Sequence, residues 1–217
     1  MILGIDTSTS VCSVALWDGK NFVEWEQRNP TGHSSVLMPM MKRAFDEAEG
    51  SVDTLVVSRG PGSFTGVRIG VSTALGLQFS GKLKVYSVSS LQARSYLDGF
   101  EGVRLPIIDA RRERVYGACY GALQHEEVNA PFVHFLELLS GTDAPVALIG
   151  ESIDHFYEMA RAALLQEVTI NDTQGNAKGA IRAFLEGKYE RDLYPVYLRE
   201  VEAVRRRKEK EDADIGD

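Results

Sequence analysis

Scarcity says most at first reading. The 217 residues include two cysteines, four histidines and two tryptophans, and lysine plus arginine fall short of the acidic residues by seven. Cys12 and Cys119 lie in apolar runs with no second cysteine nearby, so neither a disulfide framework nor a zinc ribbon is encoded. Both read as small buried hydrophobes. His33, His125, His134 and His155 include no pair four residues apart, the spacing that puts two imidazoles on one helix face to grip a metal. No metal ligands are therefore expected. No apolar run approaches the roughly 20 residues needed to span a bilayer. The N-terminus lacks a basic stretch ahead of an apolar core, so the expectation is a cytoplasmic protein without a membrane segment. A net charge of −7 is a poor match for a chain whose main task is gripping nucleic-acid phosphates.

What is present concentrates in two runs. Thr54 to Val57 reads as a buried strand and leads directly into Arg59-Gly60-Pro61-Gly62-Ser63-Phe64-Thr65-Gly66-Val67-Arg68-Ile69-Gly70. A strand, a Gly-Pro-Gly turn and a helix start bring backbone close to a ligand or to another element, since glycine permits close approach and proline pre-sets φ. The Lys-Ser/Thr ending of a phosphate-binding loop is missing, and Ser63 is not in a nucleophile elbow. The second run opens the chain: Ile2-Leu3-Gly4-Ile5 ends in Asp6-Thr7-Ser8-Thr9-Ser10. Val11 to Trp17, an Asp18-Gly19 turn and Asn21 to Gln27 follow, a strong hairpin signal. The hydroxyl-rich turn has two readings: a phosphate and cation holder, or an Asx/Ser turn that satisfies its own backbone.

Coarse periodicity argues α/β. Residues 1–100 alternate three strands, a helix, a strand, a helix, a strand at Leu83 to Val88 and a helix from Ser89. Residues 101–198 repeat the theme, with strands at Val103 to Asp109, Arg114 to Tyr120 and Val146 to Ile149, and helices at Ile153 to Leu165 and Gln174 to Glu186. His125-Glu126-Glu127 reads as a solvated turn. Residues 199–217 form a charged tail, helical or disordered. The helix expected from about Ser35 to Glu49 has Ser34 or Ser35 as cap, Gly50 as stop and Pro39 near its start. Its apolar positions exceed one narrow stripe, and Met38, Met40 and Met41 add adaptable surface. The helix expected from about Thr65 to Ser80 carries Gly66, Gly70 and Ala74 every four residues, which calls for a close-packed neighbour, in the same lobe or in another subunit.

These pieces resemble one family. The strings GIDTSTSVCSVAL (4–16), GHSSVLMPMM (32–41), RGPGSFTGVRIG (59–70), IDARRERVYGACY (108–120) and PVYLR (195–199) occur in the order found in the TsaB (YeaZ) family. That family serves bacterial synthesis of threonylcarbamoyladenosine in tRNA. The resemblance implies an actin-like ATPase (ASKHA, ribonuclease H-like) fold of two lobes with the second reduced, related to the catalytic subunit TsaD. It implies a non-catalytic partner that binds and activates a TsaD-like subunit, helps position a TsaE-like ATPase, and forms a homodimer in isolation. tRNA would be reached only indirectly, through the complex. No intrinsic cofactor is expected, with ATP or ADP a candidate at the complex interface. Carried onto this chain, the partner interface is His33, Val36, Leu37, Met40, Met41, Ala44, Gly66, Ile69, Gly70, Thr73 and Leu77. Asp6, Thr7, Ser8 and Thr9 are the candidate nucleotide contacts.

TsaD-like relatives place a His-x-x-x-His after the strand that follows the glycine-rich helix. Those positions correspond to Ser90 and Arg94 here, so the resemblance implies that the metal ligands are missing. Two rival classes stay open. An actin-like ATPase or kinase would need a second phosphate turn, for which Asp109-Ala110-Arg111 is the nearest candidate. A metallopeptidase is disfavoured by ligand spacing. Arg111, Arg112 and Arg114, and the run Arg205 to Lys208, read as a solvated loop and a solvated tail.

Overall fold

The computed structural model describes residues 1–28, 32–49, 52–172 and 175–198. The expected C-terminal tail and the expected helix stop at Gly50 lie outside them. Two five-stranded sheets form the frame. The first contains β1 (Ile2–Asp6), β2 (Val11–Trp17), β3 (Phe22–Arg28), β4 (Thr54–Ser58) and β5 (Lys84–Val88), in the order β3-β2-β1-β4-β5. The second contains β6 (Val103–Arg111), β7 (Arg114–Gly121), β8 (His125–Pro131), β9 (Val146–Gly150) and β10 (Val168–Asp172), in the order β10-β9-β6-β7-β8. Position for position the two are alike. β1 and β6 are central, each antiparallel to the strand after it and parallel to the fourth strand of its set.

Period-two patterning explains the first sheet. Leu3, Ile5, Cys12, Val14, Leu16, Leu55 and Val57 face one side and meet Leu37, Met41 and Ala44 of α1 (His33–Glu47) and Val67, Val71 and Ala74 of α2 (Phe64–Gln78). Ile2, Ala15 and Val56 face the other side. They meet Ala177, Ala180, Ile181 and Ala183 of a helix that arrives only after the second sheet is complete. In the second sheet Val103, Leu105 and Ile107 pack with Phe132, Phe135 and Leu139 of α4 (Phe132–Leu139) and Phe156 and Ala160 of α5 (Asp154–Ala163).

The late helix, α6 (Ala177–Leu185), is small on its buried side for a steric reason. A Cβ on Gly4 would collide with the Ala177 carbonyl, and one on Gly179 with the Ala93 carbonyl of α3 (Ser90–Arg94). Its N-terminal N–H groups are met by side chains of the first sheet. Ser13 Oγ accepts from Asn176 N at 3.2 Å and from Ala177 N at 3.1 Å, and Glu24 Oε1 accepts from Lys178 N at 3.0 Å. A helix from the second half of the sequence is thereby fixed to the first sheet.

Several local expectations need correction. His125 to Pro131 is the edge strand β8, not a solvated turn; its polar, half-exposed residues give no apolar alternation to read. α4 and the short edge strand β10 have no counterpart among the elements expected from the sequence. α1 begins at His33 with Gly32 in the cap position and no side-chain cap; Ser35 Oγ donates to the Gly32 carbonyl instead. Pro39 sits inside α1. α2 starts at Phe64, and Ser63 Oγ accepts from Gly66 N at 3.3 Å.

Candidate functional site

The Asp6 turn and the glycine-rich run meet. β1 ends at Asp6, whose Oδ1 accepts from Ser8 N at 2.6 Å and Ser8 Oγ at 2.8 Å. The start of α2 closes over this turn. Thr7 Oγ1 donates to the Gly66 carbonyl at 2.7 Å, and Ser63 N donates to the Ser8 carbonyl at 2.7 Å. A Cβ on Gly62 would overlap the Ser8 carbonyl, and one on Gly66 the Thr7 carbonyl; on Gly70 it would lie 2.6 Å from Thr7 Oγ1. The small residues every fourth position thus serve contact inside the lobe. Asp6, Thr7 and Ser8 are buried. Thr9 is half-buried: its Oγ1 accepts from Val11 N at 3.3 Å, and its carbonyl lies 2.9 Å from His33 Nε2. His33 therefore ties the start of α1 to the same turn.

The interior holds a cation whose burial is only partly offset by nearby charge. Arg94 is fully buried on α3. Burial lowers its pKa, while the charges of Asp6, Glu151 and Asp172, drawn from both halves of the chain, oppose that shift. Ser10 Oγ donates to Glu151 Oε1 between the same halves. Ser90, the other position aligned with the expected histidine pair, exchanges two hydrogen bonds with Gly60: its N–H donates to the carbonyl at 2.9 Å and its Oγ accepts from Gly60 N at 3.1 Å. Burial pushes the Cys12 thiol up to about 12, helped by the Asp6 charge, and Cys119 likewise to about 12. Neither is a thiolate nucleophile near neutrality. Among the described residues no group of three or more His, Cys, Asp or Glu side chains is gathered as metal ligands. Two clefts, of about 290 and 300 Å³, flank α3; the first holds Arg59, Ser89 and Glu127, the second Glu24, Arg94 and Lys178. Burial raises the pKa of Glu127 and of Glu24.

The residues assigned to a partner interface divide. Leu37, Met41, Ala44, Gly66 and Gly70 are buried in their own lobe, so a partner cannot touch them in this arrangement. The reason is register: these positions face the sheet. His33, Val36, Met40, Ile69, Thr73 and Leu77 are half-buried. The exposed apolar surface comes from Met38 on α1 and from Phe64, Leu75 and Phe79 on and just beyond α2, the last 90% exposed. Spacing could have found the α2 set, because 64, 68, 72, 75 and 79 trace one helix stripe. Nothing in the sequence pointed to Arg94 as a buried cation.

Duplicated five-stranded sheets with a central aspartate turn define an actin-like (ASKHA) fold. A family model described as "TsaD: tRNA N6-adenosine threonylcarbamoyltransferase" matches residues 29–170. The chain is 33% identical over 219 residues to the tRNA threonylcarbamoyladenosine biosynthesis protein TsaB of Bacillus subtilis, covering 93% of this chain and 95% of that one. It is 38% identical to the Escherichia coli protein of the same name over 126 residues, 55% of this chain and 54% of that one. YeaZ from Pseudomonas aeruginosa superposes with a TM-score of 0.70 at 27% identity, covering 91% of this chain and 99% of that one. The chain belongs to the TsaB (YeaZ) family. Among the described residues no helix is long and apolar enough to cross a membrane.

Proposed function

We propose that this chain is a non-catalytic partner subunit in the cytoplasmic synthesis of threonylcarbamoyladenosine in tRNA. It binds a TsaD-like enzyme through the exposed faces of α1 and α2 and shifts that enzyme toward its active arrangement, by no more than its differential affinity for the two states allows. The names of its relatives supply the pathway. One observation carries the role: the turn that would face phosphates is packed shut by the chain's own glycine-rich segment, while Met38, Leu75 and Phe79 stay exposed on the adjoining helices. A homodimer through the same faces would compete with the enzyme. A TsaE-like ATPase, with ATP or ADP, would join at the shared surface.

The rival reading, nucleotide turnover by this chain, has one observation in its favour. Among the described residues Asp6 Oδ2 is buried and accepts no hydrogen bond. The deciding experiment is threonylcarbamoyladenosine formation on tRNA, reconstituted with TsaD-like and TsaE-like subunits and a supply of threonylcarbamoyl-adenylate. Phe79→Glu and Met38→Glu should abolish stimulation while leaving the fold intact, and Asp6→Asn should retain it. Loss with Asp6→Asn, while folding and assembly stay intact, would put nucleotide chemistry first.

A further inference from the structure

The tip of the β6–β7 hairpin departs from the rest of the chain. Arg111 and Arg114 are register partners, so Arg112 and Glu113 are the two residues of the turn. Arg111, Arg112 and Glu113 have φ of 72°, 55° and 57°, three consecutive non-glycine residues in the left-handed region. A two-residue hairpin with positive φ at both turn residues ordinarily uses Asn-Gly or Asp-Gly. Here the same backbone is made from arginine and glutamate. Strain of this kind persists where the side chains serve something other than the fold.

The tip is also fixed in place. It is the counterpart, in the second sheet, of the Asp6 turn in the first. Asp109 Oδ1 accepts from Arg111 N at 2.7 Å, as Asp6 Oδ1 accepts from Ser8 N. Arg114 donates from Nε to Asn129 Oδ1 at 3.0 Å and from Nη2 to the Asn129 carbonyl. The Glu113 carbonyl accepts from Phe132 N at 2.9 Å. The counterpart turn is buried, whereas this one is open: the Arg111 side chain is 84% exposed, and Arg112 and Arg114 are exposed too. Three guanidiniums against the carboxylates of Asp109 and Glu113 leave the tip positive in a chain of net charge −7.

We infer that Arg111 and Arg112 contact the phosphodiester backbone of the tRNA directly. The choice of RNA rests on the pathway reading above. Arginine's planar fork matches phosphate oxygens, and a rigid tip lowers the ordering cost of each contact. The contact adds positioning to the complex, not sequence readout. It revises the expectation that tRNA is reached only through partner subunits.

The double variant Arg111→Asn with Arg112→Gly uses residues at ease with positive φ, so that the hairpin is not what fails, and Arg112→Lys separately keeps the backbone demand and the charge. Binding of a full-length tRNA transcript is measured by anisotropy over a series of KCl concentrations, for the isolated chain and for its complex with the TsaD-like enzyme. The double variant should melt no lower than wild type and assemble normally. Its slope of log Kd against log salt should fall by about one per arginine removed. The tRNA KM of the reconstituted reaction should rise several-fold with kcat unchanged. Arg112→Lys should keep the wild-type salt slope. An unchanged slope and KM in the double variant overturns the inference. So does lost assembly with tRNA affinity intact, which would make an acidic protein surface the occupant. Failure of the wild-type chain to assemble with the enzyme would instead sink the partner-subunit reading, while the isolated chain's tRNA binding would still decide this one.

Discussion

Two glycines on one helix should respond to alanine with opposite signs. Gly66 and Gly76 both lie within α2. A Cβ on Gly76 meets nothing within 4 Å, whereas one on Gly66 collides with the backbone carbonyl of Thr7. Gly76→Ala should therefore show only the helix-propensity gain, about 0.5–1 kcal/mol of stabilisation. For Gly66→Ala that gain is overwhelmed. Thr7 follows the central strand, so its carbonyl cannot retreat without carrying β1, and α2 must move instead. That movement breaks the bonds from Thr7 Oγ1 to the Gly66 carbonyl and from Ser63 N to the Ser8 carbonyl, both 2.7 Å. At about 1 kcal/mol each, with an overpacking penalty of about 1–3 kcal/mol less the propensity gain, the net cost is roughly 2–4 kcal/mol. For a chain of this length that corresponds to a melting-point drop of roughly 4–16 °C. Urea unfolding followed by circular dichroism reads both variants. Equal responses, or a stabilised Gly66→Ala, would refute the claim that the glycine-rich segment exists to let α2 close over the Asp6 turn.

Three further outcomes are expected. Ser13→Ala removes the acceptor shared by Asn176 N and Ala177 N, and should cost about 1–2 kcal/mol with faster hydrogen exchange at the start of α6; exchange that quickens elsewhere but not there would count against the assignment. Burial raises the pKa of Glu24 in the folded state, so the fold binds its proton more tightly than the unfolded chain does, and stability falls as pH rises through that raised value. Glu24→Gln should therefore gain on wild type as pH increases from acid to neutral, measured by denaturant titration at several pH values; a gap that narrows instead would reverse the sign. Both thiols should resist a disulfide reagent at mildly alkaline pH until the protein is unfolded, since Cys12 and Cys119 are buried with pKa values of about 12; rapid labelling of the native protein would contradict this.

Legibility followed burial. β1, β2, β4 and β9 are runs of buried residues, and each was readable because apolar content alone marks such a strand. β8 and β10 are edge strands with polar or half-exposed residues, paired on one side only, and their existence depends on a neighbour that no local window contains. The helices α1 and α2 were legible in the sequence, but which of their apolar positions face the sheet was not. Leu37, Met41 and Ala44 are as apolar as Met38 and Leu75, and only the sheet behind α1 determines which of them point away from solvent.

By itself the sequence determined the alternation of strands and helices, the Asp18-Gly19 hairpin, the aspartate turn, the glycine-rich run and the lack of histidine pairs at ligand spacing. Each depends on residue type or short-range spacing, which the chain carries wherever it folds. Tertiary structure decided what those features face. It brought α6 from the far end of the chain onto the first sheet, used the small residues of α2 to close the Asp6 turn, and buried Arg94 where the charges of carboxylates from both halves act on it. It also left an arginine hairpin strained and open where its counterpart is buried. Those outcomes depend on contacts between residues tens to more than a hundred positions apart, and no local pattern encodes which side of an element such a contact will claim.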